Sequence, residues 1–328
     1  MVIQDRIYGR ITIKDPVIAE LILSRPMQRL KEISQDGASH FIQPVRNVTR
    51  FEHSIGAWYL SNKFTRPIEE QIASLLHDVP HTAFSHVIDI VMADLNSAYH
   101  DKFTKKIILA SEIPDILAKH HVDIGKVLNK EDYHLLENDL PDISVDRWDY
   151  FMRDSHMFGV MPKQTIQLFL RSVKEKNERF YFEDTHVASL FAIMYMNCGR
   201  LIWLDPSSHG SYFILASALK YALQQGILTN EDFFRTDSYV LNTLQGAGDS
   251  TIDGWLNRLQ PGKEFSYAPK AEAEFYGANK ARVIDPWVER EGELRHLSEY
   301  VSGMKAYFEE YKARYAFIGV KPVLSTPS

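Results

Sequence analysis

Apolar residues recur every three or four positions through most of this chain, and such a period predicts α-helices. The clearest example is residues 212–228, where one helical stripe is almost entirely apolar. Residues 7–14 alternate with a period of two, and residues 168–173 and 179–183 flank a polar turn, so these segments predict strands or hairpins. We therefore expect an all-α, mainly helical fold with one or two small β-hairpins.

The C-terminal third has a weaker pattern. Residues 265–286 show no clear period and are expected to be irregular. Residues 291–314 predict a long charged helix, and residues 316–323 could add a strand. No repeat or low-complexity linker marks a boundary, so we expect a core at residues 1–161 with a mainly helical lobe at 162–328 packed on it, or one continuous domain.

Composition narrows the class of protein. The 328 residues are 45% hydrophobic and 24% charged, which is typical of a globule with a hydrophobic core. The net charge of −6 argues against binding nucleic acid or anionic membrane by bulk charge. A single cysteine, Cys198, excludes an intrachain disulfide and favours a reducing, cytoplasmic location. The first residues carry charge too early for a signal peptide, and no apolar run approaches the ~20 residues of a membrane span.

The most informative stretch is residues 75–86, which contains three histidines and an aspartate among apolar residues. An imidazole beside a carboxylate, as in His77-Asp78, offers a pair of ligands for a divalent metal. His81 and His86 follow closely enough to act on whatever that metal binds. The plainer interpretation is a buried helix end with a capping aspartate, so the remaining ligands have to come from elsewhere in the chain.

Residues 84–95 predict a helix on which His86 and Asp89 are spaced i, i+3 and can touch. A carboxylate bonded to one ring nitrogen fixes the tautomer of a general acid or base, although an ordinary surface pair has the same spacing. A further helix predicted from residue 97 carries His100, a second candidate proton donor.

Upstream, Arg50 and His53 lie at a predicted helix start, which Thr49 or Asn47 could cap. Downstream, residues 142–155 form a carboxylate-rich core helix, which is costly unless its acids are paired or bind cations.

Three separated motifs resemble those of the HD-domain metal-dependent phosphohydrolases, and most of all their deoxynucleoside triphosphate triphosphohydrolase branch. They are Arg-Phe-Glu-His-Ser at 50–54, the His-Asp motif with its later Phe-Ser-His at 77–86, and Asp-Arg-Trp-Asp-Tyr at 146–150. Gln35 and the His100-Asp101 pair also fit that branch, and the resemblance covers roughly residues 5–160.

The resemblance implies one divalent metal ion held by His53, His77, Asp78 and Asp146. Histidines with carboxylates suit Mn, Fe, Co, Ni or Zn, with Mg also open.

The resemblance also implies a role for residues around the metal. Proton transfer to the leaving oxygen would fall to His81, His100 and the His86–Asp89 pair. Substrate contacts would come from four residues, Arg50 and Arg153 on phosphate and Gln35 and Tyr150 on the sugar.

The implied activity is hydrolysis of a deoxynucleoside triphosphate to nucleoside and triphosphate. The chain departs from that branch in having Pro80 and Thr82 beside His81 where glycines are usual, and in lacking a Tyr-x-His motif near residues 201–209. A phosphomonoesterase acting on nucleoside monophosphates or another small phosphate ester therefore stays open. So does a binding or regulatory scaffold that keeps the metal for structure. Relatives form oligomers, which leaves a homo-oligomer open as well.

Overall fold

The computed structural model describes residues 1–93, 99–279 and 281–323, which fold mainly into helices. The helices are α1 Pro16–Leu23, α2 Arg25–Arg29, α3 Ser39–Ile42, α4 Arg50–Lys63, α5 Ile68–Leu76, α6 Val87–Val91, α7 Thr104–Leu109, α8 Ile113–Lys119, α9 Ile124–Leu128, α10 Val145–Met157, α11 Lys163–Ser172, α12 Thr185–Cys198, α13 Pro206–Gln224, α14 Asp237–Gly246, α15 Ser250–Leu256, α16 Leu297–Tyr300 and α17 Met304–Arg314. Short 3-10 segments lie at Leu30–Glu32, Tyr99–Phe103, Lys130–Asp132 and Asp232–Phe234, and a π-helical turn at Gly199–Trp203.

Nine strands form three sheets in the described part of the chain, so the expectation of one or two small hairpins is wrong. The strands are β1 Val2–Asp5, β2 Gly9–Thr12, β3 Val173–Lys176, β4 Arg179–Phe182, β5 Phe265–Tyr267, β6 Phe275–Ala278, β7 Trp287–Arg290, β8 Glu293–His296 and β9 Phe317–Pro322. They are ordered β1-β2, β3-β4-β7-β8 and β5-β9-β6.

Strands β5 to β8 were missed, whereas β9 lies within residues 316–323, where a strand was expected. β7 pairs parallel with β4, joining Tyr181 to Trp287 and Phe182 to Val288. β9 lies between β5 and β6 with antiparallel neighbours on both sides. These strands are three to six residues long, too short for a period of two to stand out, and only the pairing stabilises them. The predicted helix at 291–314 accordingly begins with strand β8, and the predicted irregular segment contains β5 and β6.

The core consists of two clusters of buried apolar residues. The smaller one joins β2 and α1 to α4, α5 and α8, and includes Ile18, Leu75 and Leu117. The larger one runs from Ala83 and Trp148 to side chains of α12 and α13, so it spans both sides of the proposed boundary after residue 161. The division into 1–161 and 162–328 stays a prediction.

Helices α4, α5 and α10 pack together and bring three separated parts of the sequence to one place. Trp148 of α10 is fully buried against Phe64 and Phe180, and truncating such a side chain typically costs about 3–5 kcal/mol. Of the helix predicted at 84–95, the structure forms only α6 at Val87–Val91, and Phe84 and Ser85 before it have left-handed φ angles of 57° and 52°. Leu95 and the predicted helix start at Ser97 lie outside the described residues.

The described residues include no single helix with the length and apolarity of a membrane span. Residues Thr185–Trp203 and Pro206–Gln224, bent by 49° to each other, meet that criterion only as a pair.

Candidate metal centre and active-site cavity

Helix α4 begins with a capping box that places His53 in its first turn. The Thr49 hydroxyl accepts the Glu52 amide at 3.3 Å, and the Glu52 carboxylate accepts the Thr49 amide at 3.0 Å. Of the two predicted caps, the structure uses Thr49. Reciprocal capping satisfies two amides that the helix leaves unpaired, so the start of α4 is fixed in register. His53 is fully buried as a result.

Helix α5 ends at the same site, and helix α10 begins there. Helix α5 stops at Leu76, which leaves His77 as its C-cap and Asp78 in the turn that follows. Helix α10 starts behind Ser144, whose hydroxyl accepts the Arg147 amide at 3.3 Å. Asp146 therefore lies in the first turn of α10, opposite the end of α5.

Two histidine rings and a carboxylate converge at this junction. The Nε2 atoms of His53 and His77 lie 3.2 Å apart. The Asp146 Oδ1 atom is 2.9 Å from the first of these nitrogens and 3.7 Å from the second. The three ligand atoms lie within 4.8 Å of one another, which is the spacing that a single metal ion can bridge.

The Nδ1 atom of each ring lies within hydrogen-bond distance of an acceptor oxygen. The Nδ1 of His77 lies 2.8 Å from the Ser74 carbonyl oxygen, which can only accept. The Nδ1 of His53 lies 2.8 Å from Asp149 Oδ2. With a proton held on each Nδ1, the Nε2 atoms, 3.2 Å apart, can both offer their lone pairs to a divalent cation that takes the place of a proton there. The residues present therefore fit a divalent metal.

The electrostatics of His53 point to the same conclusion. Burial lowers the pKa of His53, but hydrogen bonds with Asp146 and Asp149 and the nearby Asp78 outweigh burial and raise it to about 10. A pocket that stabilises positive charge on a buried ring nitrogen also favours a metal cation at that position.

Asp149 is part of a second layer behind the ring of His53. Arg153 donates to both Asp149 oxygens at 3.0 and 2.9 Å and to Asp5 at 3.1 Å. The Tyr8 hydroxyl donates to Asp149 at 2.6 Å. Burial raises the pKa of Asp149, but Arg153 and His53 together hold it below its ordinary value, so the carboxylate stays charged and orients the imidazole.

Asp78 lies on the opposite side of the junction. Its oxygens are 3.4 Å from His77 Nε2 and 3.9 Å from His53 Nε2. The Arg50 Nη1 atom donates to both of them at 3.1 and 3.0 Å, and its Nε donates to Ser85. Burial raises the pKa of Asp78, but Arg50 and the neighbouring histidines outweigh burial and hold it well below the ordinary range.

Three further histidines stand in a row beside Asp78. The rings of His81 and His100 are stacked with centroids 3.5 Å apart, and the ring of His86 meets that of His81 edge-on at 5.1 Å. Burial, with nearby positive groups, lowers the pKa of both His81 and His100 well below its ordinary value, so both rings are neutral at pH 7. His81 Nε2 is 3.3 Å from Asp78 Oδ1.

His86 is the most exposed of this row, and Asp89 orients it. The His86 Nδ1 lies 3.0 Å from Asp89 Oδ2, and the other Asp89 oxygen accepts the Tyr99 amide at 2.9 Å. The predicted i, i+3 contact is therefore present, and it ties the histidine to the segment that carries His100.

A cavity of about 850 Å³ opens beside these residues. Its wall includes nine predicted site residues, namely Gln35, Arg50, His77, Asp78, His81, His86, His100, Asp146 and Tyr150. His53, Asp89 and Arg153 lie behind that wall, and Arg153 is fully buried by its bonds to Asp149 and Asp5.

The sequence did not identify several polar groups of this cavity. Burial and then the neighbouring Asp36 carboxyl raise the pKa of Asp154 to about 8. Asp36 follows Gln35 directly and lies 3.8 Å from Arg46, which is itself buried. Asp149 was recognisable in part, since it falls on the same face of α10 as Asp146. The position of Asp36 depends on contacts with residues that are distant in sequence.

Comparison with known proteins agrees with this geometry. The model of the HD domain family matches residues 50–154. An uncharacterized protein of Bacillus subtilis, YdhJ, is 38% identical over 325 residues, covering 96% of this chain and 98% of the relative. The metal-dependent phosphohydrolase cns2 of Cordyceps militaris is 29% identical, covering 89% of this chain and 86% of its own length.

A more distant relative carries a more specific name. The deoxynucleoside triphosphate triphosphohydrolase SAMHD1 homolog of Dictyostelium discoideum is 25% identical, covering 68% of this chain and 49% of the relative. A phosphohydrolase crystal structure from Bacteroides thetaiotaomicron superposes with a TM-score of 0.75 at 18% identity, covering 98% of each chain, which shows a shared fold. The chain belongs to the HD-domain superfamily of metal-dependent phosphohydrolases, in the part of it that resembles the deoxynucleoside triphosphate triphosphohydrolases.

Proposed function

We propose that this hydrolase cleaves a phosphate ester of a nucleotide at a divalent metal held by His53, His77, Asp78 and Asp146. The observation that carries the proposal is the convergence of two imidazole Nε2 atoms and a carboxylate beside the wall of a large cavity. Manganese, iron, cobalt, nickel, zinc and magnesium are all compatible with this mixed donor set.

The metal would neutralise phosphate charge and activate water for attack on phosphorus near neutral pH. Arg50 is the residue that would orient the phosphate. Its bonds to Asp78 and Ser85 use Nη1 and Nε, so the guanidinium is fixed in place in the wall of the cavity. A guanidinium held in this way loses little freedom when it binds an anion.

The histidine row would handle the proton of the leaving oxygen. His86 is suited to general acid or base chemistry because Asp89 bonds its Nδ1 and leaves Nε2 for the substrate. His81 and His100, neutral at pH 7, would contact the same oxygen from the buried side.

Gln35 and Tyr150 would contact the nucleoside. The Gln35 Oε1 atom is buried with no hydrogen-bond partner in the described chain, and a hydroxyl or amino group of a ligand would satisfy it. A direct contact of Arg153 with phosphate stays a prediction. In the structure its guanidinium bonds Asp149 and Asp5, so we assign it the role of holding Asp149 behind His53.

The lining of the cavity carries charged groups of both signs. Among the described residues its cations are Arg46, Arg50, Lys130, Arg147 and Arg282. Its carboxylates are more numerous: Asp36, Asp78, Asp101, Glu131, Glu137, Asp139, Asp146 and Asp154.

Three of these cations already donate hydrogen bonds to protein groups, namely Arg46, Arg50 and Arg147. Two of the carboxylates, Asp78 and Asp146, are proposed metal ligands, and the pKa of Asp154 is raised to about 8, so the lining accommodates a nucleoside monophosphate or a triphosphate. The triphosphatase alternative is favoured by the motifs and by the named triphosphohydrolase relatives.

Product analysis separates these activities. Purified protein is incubated with nucleoside mono-, di- and triphosphates and Mn, Co, Ni or Mg, and the products are resolved by anion exchange. Orthophosphate from a monophosphate supports the phosphomonoesterase, and inorganic triphosphate supports the triphosphohydrolase.

The Asp78→Asn variant, purified in the same way, controls for contaminating phosphatases. Absence of turnover with every ester and metal would contradict the proposal and leave a metal-stabilised binding scaffold. A homo-oligomer remains a prediction, which sedimentation of the metal-loaded protein would test.

A further inference from the structure

Asp237 begins helix α14, far from the metal ligands in sequence, yet its carboxylate bridges two segments of the site. One oxygen, Oδ2, accepts the Ser34 amide at 2.8 Å. The other, Oδ1, accepts the Phe84 amide at 2.7 Å. Phe84 is fully buried, so its amide depends on this carboxylate rather than on solvent.

Each bonded amide lies next to a residue of the active-site wall. Ser34 directly precedes Gln35, and Phe84 lies two positions before His86. Phe84 and Ser85 have φ angles of 57° and 52°. This left-handed conformation is unfavourable for residues with a β-carbon and persists only where the surroundings enforce it.

Further bonds from the same neighbourhood hold this loop. The Phe233 carbonyl accepts the Ala83 amide at 2.7 Å. Arg29 donates to the carbonyl oxygens of Val79 and His81 at 2.8 and 2.7 Å, and to that of Arg235 at 3.0 Å. Residues 233–237 thus hold the loop that carries the histidines, and we call this segment the clamp. Asp237 supplies its carboxylate.

We propose that Asp237 is a positioning residue, whose carboxylate sets the spacing between Gln35 and His86 and so aligns the nucleoside end of the substrate with the proton-transferring histidine. The inference rests on the proposed phosphohydrolase function for its effect on turnover. Its effect on the two amides is independent of that function.

Several charged groups surround this carboxylate. Burial raises the pKa of Asp237 to about 7, although the amides of Phe84 and Ser34 and the charges of Arg29 and Arg50 lower it. Glu32 lies close by and accepts a hydrogen bond from Ser238. Mild acid therefore protonates the Asp237 carboxylate, and a protonated carboxyl accepts hydrogen bonds from two amides less well than a carboxylate does.

The test compares Asp237→Asn with Asp232→Asn. Asp232 is a matched control because it also accepts a backbone amide, that of Thr229 at 2.8 Å, but it touches neither loop of the site. Hydrogen exchange of peptides containing Ser34 and Phe84 should become at least tenfold faster in Asp237→Asn. Exchange of the β3–β4 hairpin should stay unchanged, which shows that the fold is intact.

With wild-type enzyme active on an ester, Asp237→Asn should lower kcat about tenfold to a hundredfold at pH 8, as expected for a small misplacement of a catalytic group. Bound metal, measured by mass spectrometry, should be unchanged because the clamp touches none of its proposed ligands. If Asp237→Asn does not fold, Asp237→Glu, which keeps the charge but lengthens the side chain, is measured instead.

Unchanged exchange at both amides, or wild-type kcat in a folded variant, would overturn the proposal. Loss of metal together with activity would also overturn it, since the role would then be structural support of the metal ligands. If the wild type hydrolyses no ester, the proposed function fails and the exchange result alone decides whether the clamp exists.

Discussion

The Nε2 atoms of His53 and His77 face each other at 3.2 Å, while each ring binds an acceptor through Nδ1. Hydrogen bonds with Asp146 and Asp149 raise the pKa of His53 to about 10, and a divalent cation would satisfy the same negative groups. The sequence places these histidines 24 positions apart on two helices, so their meeting depends on how α4 packs on α5. The candidate metal site is therefore a consequence of helix packing as much as of the motif.

Loss of the carboxylate behind His53 should weaken metal binding without removing a ligand. Asp149→Asn is expected to reduce metal affinity about 10–100-fold, because the carboxylate that orients the imidazole is gone. It should also destabilise the protein by about 3–5 kcal/mol, since Arg153 is left buried with a weakened partner. Metal titration followed by calorimetry and urea unfolding measure the two effects.

Tyr8→Phe is the matched control for Asp149→Asn. It removes the 2.6 Å hydrogen bond to the other Asp149 oxygen but leaves the bond to His53 intact. We expect a loss of about 1 kcal/mol in stability and nearly normal metal affinity. Equal metal affinity in Asp149→Asn and the wild type would show that the buried carboxylate serves stability alone.

Removal of a predicted ligand should have a stronger effect on metal than on fold. His77→Ala and Asp78→Asn should each abolish bound metal and hydrolysis and leave a mostly folded protein, because the helices around the site are held by apolar packing. Metal content by mass spectrometry and circular dichroism are the measurements. Wild-type turnover by purified Asp78→Asn would refute the ligand assignment.

The sequence is sufficient for the motif residues and insufficient for what supports them. Capping by Thr49 and the helix ends around His77 follow from local preferences, so this part of the site was predictable. Asp5 and Tyr8 reach α10, at Arg153 and Asp149, from more than 140 positions away, and no local pattern records those contacts.

The pairing of strands into the two larger sheets was missed for the same reason. β4 and β7 are separated by more than 100 residues, and the strands are too short for a period to identify them. Asp237 resembles an ordinary residue in the first turn of a helix, and only the fold brings it to Ser34 and Phe84.

The raised pKa of Asp237 should also change how the free energy of unfolding depends on pH. Its pKa in the folded protein is about 7, above the ordinary 3.8. Between these values the folded state binds more protons than the unfolded state, so this group contributes stability at low pH that is lost as pH rises from 4 to 7. The Asp237→Asn variant has no titrating group at this position. As pH rises from 4 to 7, its free energy of unfolding should therefore increase relative to that of the wild type.

Urea unfolding at several pH values measures this difference. Asp232→Asn serves as the control with the opposite sign, because hydrogen bonds from Thr229 lower the pKa of Asp232. A difference between Asp237→Asn and the wild type that is constant from pH 4 to 7 would mean that Asp237 is not protonated in the folded state in this range.

Gly56 is the position where a single methyl group should disrupt the metal site. It lies on α4, one turn after His53, and a β-carbon there would meet Asp149 Oδ1 at 1.8 Å and Arg153 Nη2 at 2.5 Å. Because both neighbours belong to a buried, hydrogen-bonded pair, they cannot move aside without breaking their bonds.

Gly56→Ala is therefore expected to cost about 1–3 kcal/mol or more by overpacking and to displace the carboxylate that orients His53. Gly254→Ala is the matched control on α15, because a β-carbon at that position would meet no atom within 4 Å. It should be neutral or slightly stabilising, since alanine favours helix. Thermal unfolding and metal titration of the two variants test the claim, and equal stability and equal metal affinity would show that α4 and α10 pack less tightly here than the structure describes.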